Sequence, residues 1–135
     1  PLIAVALWKG GYTHKLVEET GEFTVNVPSS KLLKAVWIAG TKTGKKTDKI
    51  KLAGLRVSPA KKVKAPVIED CIGHLECKLV GSADAGECKV YLARVLAAYA
   101  DENLFKRGVW TEKAEVLLHT GGKLFTTPKT SFRAG

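Results

Sequence analysis

Cysteine is scarce in this chain and badly placed for structural work. Only Cys71, Cys77 and Cys88 occur in the 135 residues, an odd number with no Cys-x-x-Cys pair. That set does not fit a closed zinc site, and a reduced, cytoplasmic compartment suits it best. Long apolar runs are missing too. The longest opening run, Leu2 to Trp8, is too short for a membrane span or a signal-peptide core, so no membrane association is expected. His14, His74 and His119 are scattered and no His-Glu-x-x-His pattern occurs, so no metal site is expected. No nucleophile, base and orienting group stand at a recognisable spacing. Linkers, repeats and low-complexity segments are also lacking, which leaves one domain over residues 1–135. Its 45% hydrophobic residues suffice for a core.

Acidic residues are few. Thirteen stand against 22 Lys and Arg, a formal net charge of +9, and 13 of those bases lie between Lys9 and Lys64 with four acids. Such an excess either solvates a surface or draws in phosphate-bearing partners: a flavin mononucleotide, a nicotinamide dinucleotide or nucleic acid.

What the chain does contain reads mainly as strands. Leu2 to Trp8 predicts a strand covered on both faces, ending in Lys9-Gly10-Gly11. A short amphipathic helix follows, with Leu16 and Val17 on its apolar side and a stop at Gly21. Phe23, Val25 and Val27 then alternate along a strand, leaving Asn26 on the other face as a polar surface residue or a backbone anchor. Pro28-Ser29-Ser30 caps a second helix with Leu32, Leu33, Val36 and Trp37 on its apolar side, ending near Gly40. A lysine-rich loop, Thr41 to Lys46, leads to a helical stretch from Thr47 to Ala53 stopped by Gly54, and a basic connector, Lys61 to Lys64, ends at Pro66. Leu75, Cys77 and Leu79 alternate with His74, Glu76 and Lys78, which predicts a strand with one wet face. Gly81 to Gly86 reads as a turn. Cys88 to Tyr99 is apolar on both faces, as in a central strand or one covered by a second subunit. Val116 to Thr127 is a last strand region broken at Gly121-Gly122. The sum is an all-β-dominated barrel with a few short helices over its openings.

A strand, a glycine turn carrying Lys9, and a helix start bearing Tyr12 and Thr13 together form a candidate anion seat. Thr13 either donates to a phosphate or caps its helix, Tyr12 either donates or packs, and Lys9 is either a ligand or a solvated cation. The ordered set Lys9-x-x-Tyr12-Thr13, Gly21-Glu22-Phe23, Asn26 and Pro28, then Thr43-Gly44 with Asp48-Lys49, then Gly54-Leu55 and Lys64 to Cys71, resembles the flavin reductase-like family of FMN-binding split β-barrels. Leu75-Glu76-Cys77-Lys78, Glu87 to Val95 and His119 to Phe125 continue the resemblance to about Phe125.

The resemblance implies a Greek-key-like split barrel that binds FMN and works as a homodimer. It implies electron movement from NAD(P)H through FMN to a flavin, a ferric complex or a protein acceptor; a flavoredoxin-like carrier without a nicotinamide site is the alternative. A basic nucleic-acid-binding barrel is the weaker reading, because Trp8, Phe23 and Trp37 sit in apolar patterns. By resemblance, Lys9, Tyr12 and Thr13 hold the phosphate, and Thr43 and Gly44 line the adjoining loop. Lys49 would reach the flavin, where a cation stabilises an anionic reduced ring. Lysine at position 9 replaces the arginine of many relatives, so a bidentate grip becomes a point charge. Cys88 stands where relatives often have a histidine over the flavin, and it is either a buried thiol or a changed contact. His119, Gly122 and Phe125 match the closing motif near the ring. The family's first two strands and their Asn-x-(Met/Ala)-Thr-x-Ser-Trp motif have no counterpart here. The expectation is therefore of native residues upstream of Pro1, and of weak flavin binding by this segment alone.

Overall fold

The computed structural model describes residues Pro1–Gly135. It is mostly strand with few helices, as the residue patterns predict. Its centre is a four-stranded antiparallel sheet in the order β1-β6-β5-β2: β1 (Leu2–Trp8), β6 (Cys88–Ala100), β5 (Gly73–Ala85) and β2 (Glu22–Val27). Helix α1 (Tyr12–Thr20) joins β1 to β2. Ser30–Leu32 forms a 3-10 turn into α2 (Leu33–Thr41), and α3 is Lys49–Ala53. Three short strand pairs complete the chain: β3 (Val57–Ser58) with β4 (Val67–Ile68), β7 (Phe105–Lys106) with β8 (Val109–Trp110), and β9 (Leu118–Gly121) with β10 (Leu124–Thr126). No helix is long and apolar enough to cross a membrane.

Local chemistry explains the helix ends. Gly21 (φ 66°) and Gly54 (φ 66°) take the left-handed conformation that closes α1 and α3, and their amides donate to carbonyls of the last turn. Asp48 caps α3 by accepting from the Lys51 amide at 3.1 Å. On β2, Asn26 proves to be a backbone anchor. Its Oδ1 accepts from the Ile68 amide and lies 2.9 Å from His74 Nδ1, tying β4 and β5 to β2.

Three expectations need correction. Leu2 to Trp8 is not covered on both faces: β1 pairs only with β6, its exposure alternates, and Leu2 and Trp8 remain 65% and 61% exposed. Gly81 to Gly86 is not a turn. β5 runs through it to Ala85, because β6 is equally long and offers a partner at each step, and the chain reverses only at Gly86 (φ 62°) and Glu87. The face carrying Glu76 is not wet, since Glu76 is wholly buried. The register slips there, with Glu76 opposite Ala97 and Cys77 opposite Val95, so the extra residue, Leu96, lies on β6, while Glu76 and Cys77 on β5 are both buried.

The fully enclosed core is small and clusters where α1 and the 61–68 segment meet the sheet, with Val17, Val63, Val67, Cys77, Tyr91 and Ala93 among its members. Strand β6 is central, as its two-sided apolar pattern predicts, yet Leu92 and Leu96 stay 44% and 39% exposed.

Candidate functional site

Helix α1 begins without a cap of its own. Gly11 occupies the N-cap position, no side chain accepts from the first-turn amides, and that turn holds no acid. The amides and the positive end of the helix dipole therefore face outward unanswered. They open on a cleft of about 310 Å³ lined by Gly11, Tyr12 and Thr13 on one side and by Thr41 to Gly44 and Lys49 on the other. A wider hollow, also bordered by Tyr12, Thr13, Gly44 and Lys49, continues it along the Lys45–Ile50 loop.

Five of the residues singled out in the sequence thus surround one space. Gly44 lets the walls approach: a Cβ there would stand 3.0 Å from Tyr12 Cδ1 and 3.5 Å from Lys49 Cε. Lys49 donates to the Ala39 carbonyl at 2.7 Å, placing a cation at the negative end of α2. Thr43 Oγ1 accepts from the Lys45 amide at 3.3 Å and so shapes the loop.

The other five lie elsewhere. Lys9 borders neither hollow. Its ammonium pairs with Asp84 at 2.8 Å and its amide donates to the Glu87 carbonyl, so it points to the β5–β6 hairpin. Cys88 begins β6 opposite Trp8 and Ala85, half-buried. His119, Gly122 and Phe125 belong to the β9–β10 hairpin, where His119 Nε2 lies 3.1 Å from the Gly122 carbonyl and its ring 4.7 Å from that of Phe125.

Sequence reading missed a polar network behind the cleft. Tyr91, wholly buried on β6, donates from its hydroxyl to Glu18 at 2.5 Å, with His14 Nδ1 at 2.6 Å from the same oxygen. Lys89 completes it with an ion pair to Glu18 at 2.7 Å. Burial, then the Glu18 carboxylate, pushes the Tyr91 phenol up to about 12, so it remains a donor. Lys89 and Tyr91 hold the Glu18 carboxyl below its ordinary range. The i, i+4 spacing of His14 and Glu18 was the available signal, because it puts both on one face of α1. This network fastens to the sheet the helix that bears Tyr12 and Thr13.

Residues 1–128 match the flavin reductase like domain. The chain belongs to that family. It is 38% identical over 127 residues to an uncharacterized protein of Archaeoglobus fulgidus, a match covering 93% of this chain and 71% of the relative. Among solved structures, the flavoredoxin of Methanosarcina acetivorans superimposes with a TM-score of 0.86 at 29% identity, covering all of this chain and 72% of the other. A protein with a split barrel domain from Shewanella frigidimarina gives a TM-score of 0.90 at 16% identity, covering 100% and 70%, a likeness of fold alone. The split-barrel fold expected from the sequence is therefore the fold of this chain.

Proposed function

We propose that this protein binds FMN and passes electrons from NAD(P)H through it to a flavin, a ferric complex or a protein acceptor. The observation that carries the reading is the uncapped start of α1, whose Tyr12 and Thr13 line the same cleft as Lys49. Free amides, two hydroxyls and a cation match a terminal phosphate, which distinguishes FMN from riboflavin. In this reading Tyr12, Thr13 and Lys49 hold the phosphate end, while Thr43 and Gly44 shape the opposite wall. Lys9 adds positive charge from the flank and would reach the phosphate only by leaving Asp84. Cys88, His119, Gly122 and Phe125 stand outside this cleft, so any contact of theirs would be with the ring side of the cofactor. Bound FMN would supply the two-electron redox chemistry; the chain's own part is to hold and orient it. Three free thiols suit a reducing, cytoplasmic setting.

Titration should show FMN binding at least about tenfold more tightly than riboflavin, the effect of a charge-assisted phosphate contact. The FMN-loaded protein should oxidise NADH or NADPH when given an acceptor. Equal affinity for the two flavins would remove the phosphate seat. FMN binding without nicotinamide oxidation would move the reading to an electron carrier, which the likeness to flavoredoxins favours.

We also propose a homodimer, with Leu92 and Leu96 of β6 against a second copy. Their exposure on a central strand supports it. Equilibrium sedimentation should give twice the chain mass at micromolar concentration, and Leu92→Asp should shift it to monomer. A monomeric wild-type protein would refute this arrangement.

A further inference from the structure

Seven lysines and a single acid, Asp48, lie between Lys31 and Lys51. Asp48 is engaged in capping α3. The five ion pairs of the molecule all lie elsewhere, so none of these seven ammonium groups has a carboxylate partner. Six of the seven are exposed, and Lys49 is the half-buried exception. From Glu69 to Glu115 the balance reverses, with nine acids against six bases. The positive charge is therefore concentrated around α2 and the loop after it. Lysines that served only solubility or stability would be interspersed with carboxylates or drawn into ion-pair networks.

This face also carries apolar surface. Leu33 and Trp37, one turn apart on α2, are 44% and 36% exposed, and Lys34 adjoins Leu33. A small phosphate-bearing ligand would use the charge and leave an indole and a leucine wet. An exposed tryptophan anchor with a rim of unpaired cations has the make-up of a protein-docking surface with an acidic counterpart. The face is continuous with the cleft, because Lys42, just past α2, lines it.

We propose that the α2 face, with Lys31, Lys34, Leu33 and Trp37 at its centre, docks the acidic surface of an electron-carrier protein beside the cofactor cleft. The docked carrier would gain each electron that the flavin gives up. The electron transfer rests on the flavin reading; the contact itself does not.

The probe is a fluorescently labelled acidic ferredoxin, titrated by anisotropy against the protein with and without FMN. Micromolar binding is expected at low salt, weakening about tenfold at physiological ionic strength. Lys31→Glu with Lys34→Glu should weaken it by about tenfold or more, and Trp37→Ala by several-fold, both leaving FMN affinity unchanged. A thermal melt of each variant confirms that the fold is kept, and Lys31→Gln with Lys34→Gln gives a milder second set. No ferredoxin binding at low salt, or binding indifferent to all three variants, would overturn the proposal. So would tighter binding of a labelled DNA duplex to the same face. Ferredoxin binding by a protein that takes up no FMN would refute the flavin reading while upholding the docking surface.

Discussion

Thr13→Glu should cost FMN binding about two orders of magnitude while leaving the fold slightly more stable than before. Thr13 sits in the first turn of α1, where no side chain answers the amides and no acid is present. A glutamate there satisfies the helix end itself, a change worth about 0.3–1 kcal/mol in favour of folding. The same carboxylate repels a phosphate in the adjoining space. Two like charges about 4 Å apart oppose each other by about 4 kcal/mol at the effective dielectric of a protein surface, and salt reduces this. Riboflavin has no phosphate to repel, so the preference between the two flavins should disappear or reverse. Thr13→Ala removes only a hydroxyl and should weaken FMN by several-fold, roughly 1 kcal/mol. Flavin fluorescence titrations with both ligands measure this, and a melting curve measures stability. If Thr13→Glu kept FMN affinity within a few-fold of wild type, the phosphate could not lie at the start of α1.

Much of the fold was legible because the signals were local. Gly21 and Gly54 stop helices through a backbone conformation that glycine alone enters freely. The alternation of Phe23, Val25 and Val27 marks β2 as a strand, and the two-sided apolar run of β6 marks a strand with a neighbour on each side. The failures share a cause, since each depends on a partner distant in sequence. Gly81 to Ala85 contains turn-forming residues, but β6 opposite supplies hydrogen-bond partners that override the local preference. Leu2 to Trp8 has the composition of a covered strand, and nothing in those residues tells that one of its faces would stay exposed. At the candidate site, Tyr12, Thr13, Thr43, Gly44 and Lys49 could be grouped by resemblance to a family pattern. The pairing of Lys9 with Asp84 and of Tyr91 with Glu18 could not, because chain closure brings those groups together.

Glu76→Leu should destabilise the protein by about 3 kcal/mol, lowering the melting temperature by roughly 10 °C. Glu76 has no exposed surface, yet its carboxylate is fully engaged. The Lys61 amide donates to one oxygen at 2.8 Å and the Lys62 amide to the other at 2.5 Å, while the Tyr99 hydroxyl donates to the first at 2.8 Å. Lys61 also holds its ammonium 4.1 Å from the centre of the Tyr99 ring. Leucine matches the volume and would suit an apolar core, but it leaves two amides and a hydroxyl buried without acceptors. The connector from Lys61 to Lys64 would then lose its main tie to β5, and Val63 with it would leave the core. Burial pushes the Glu76 carboxyl up, but the Lys61 amide, Tyr99 and the Lys62 amide together outweigh it and hold the group below its ordinary value. A carboxyl that is more acidic in the folded state contributes stability above its unfolded pKa and loses it as the pH falls through the folded one. Wild-type stability should therefore decline as the pH drops below the ordinary glutamate range. Glu76→Gln keeps an acceptor for Tyr99 but does not titrate, so its stability should be lower at neutral pH and converge on wild type in acid. Thermal melts of the three proteins across that range decide the matter: parallel curves for wild type and Glu76→Gln would mean that this carboxylate does not control the acid response.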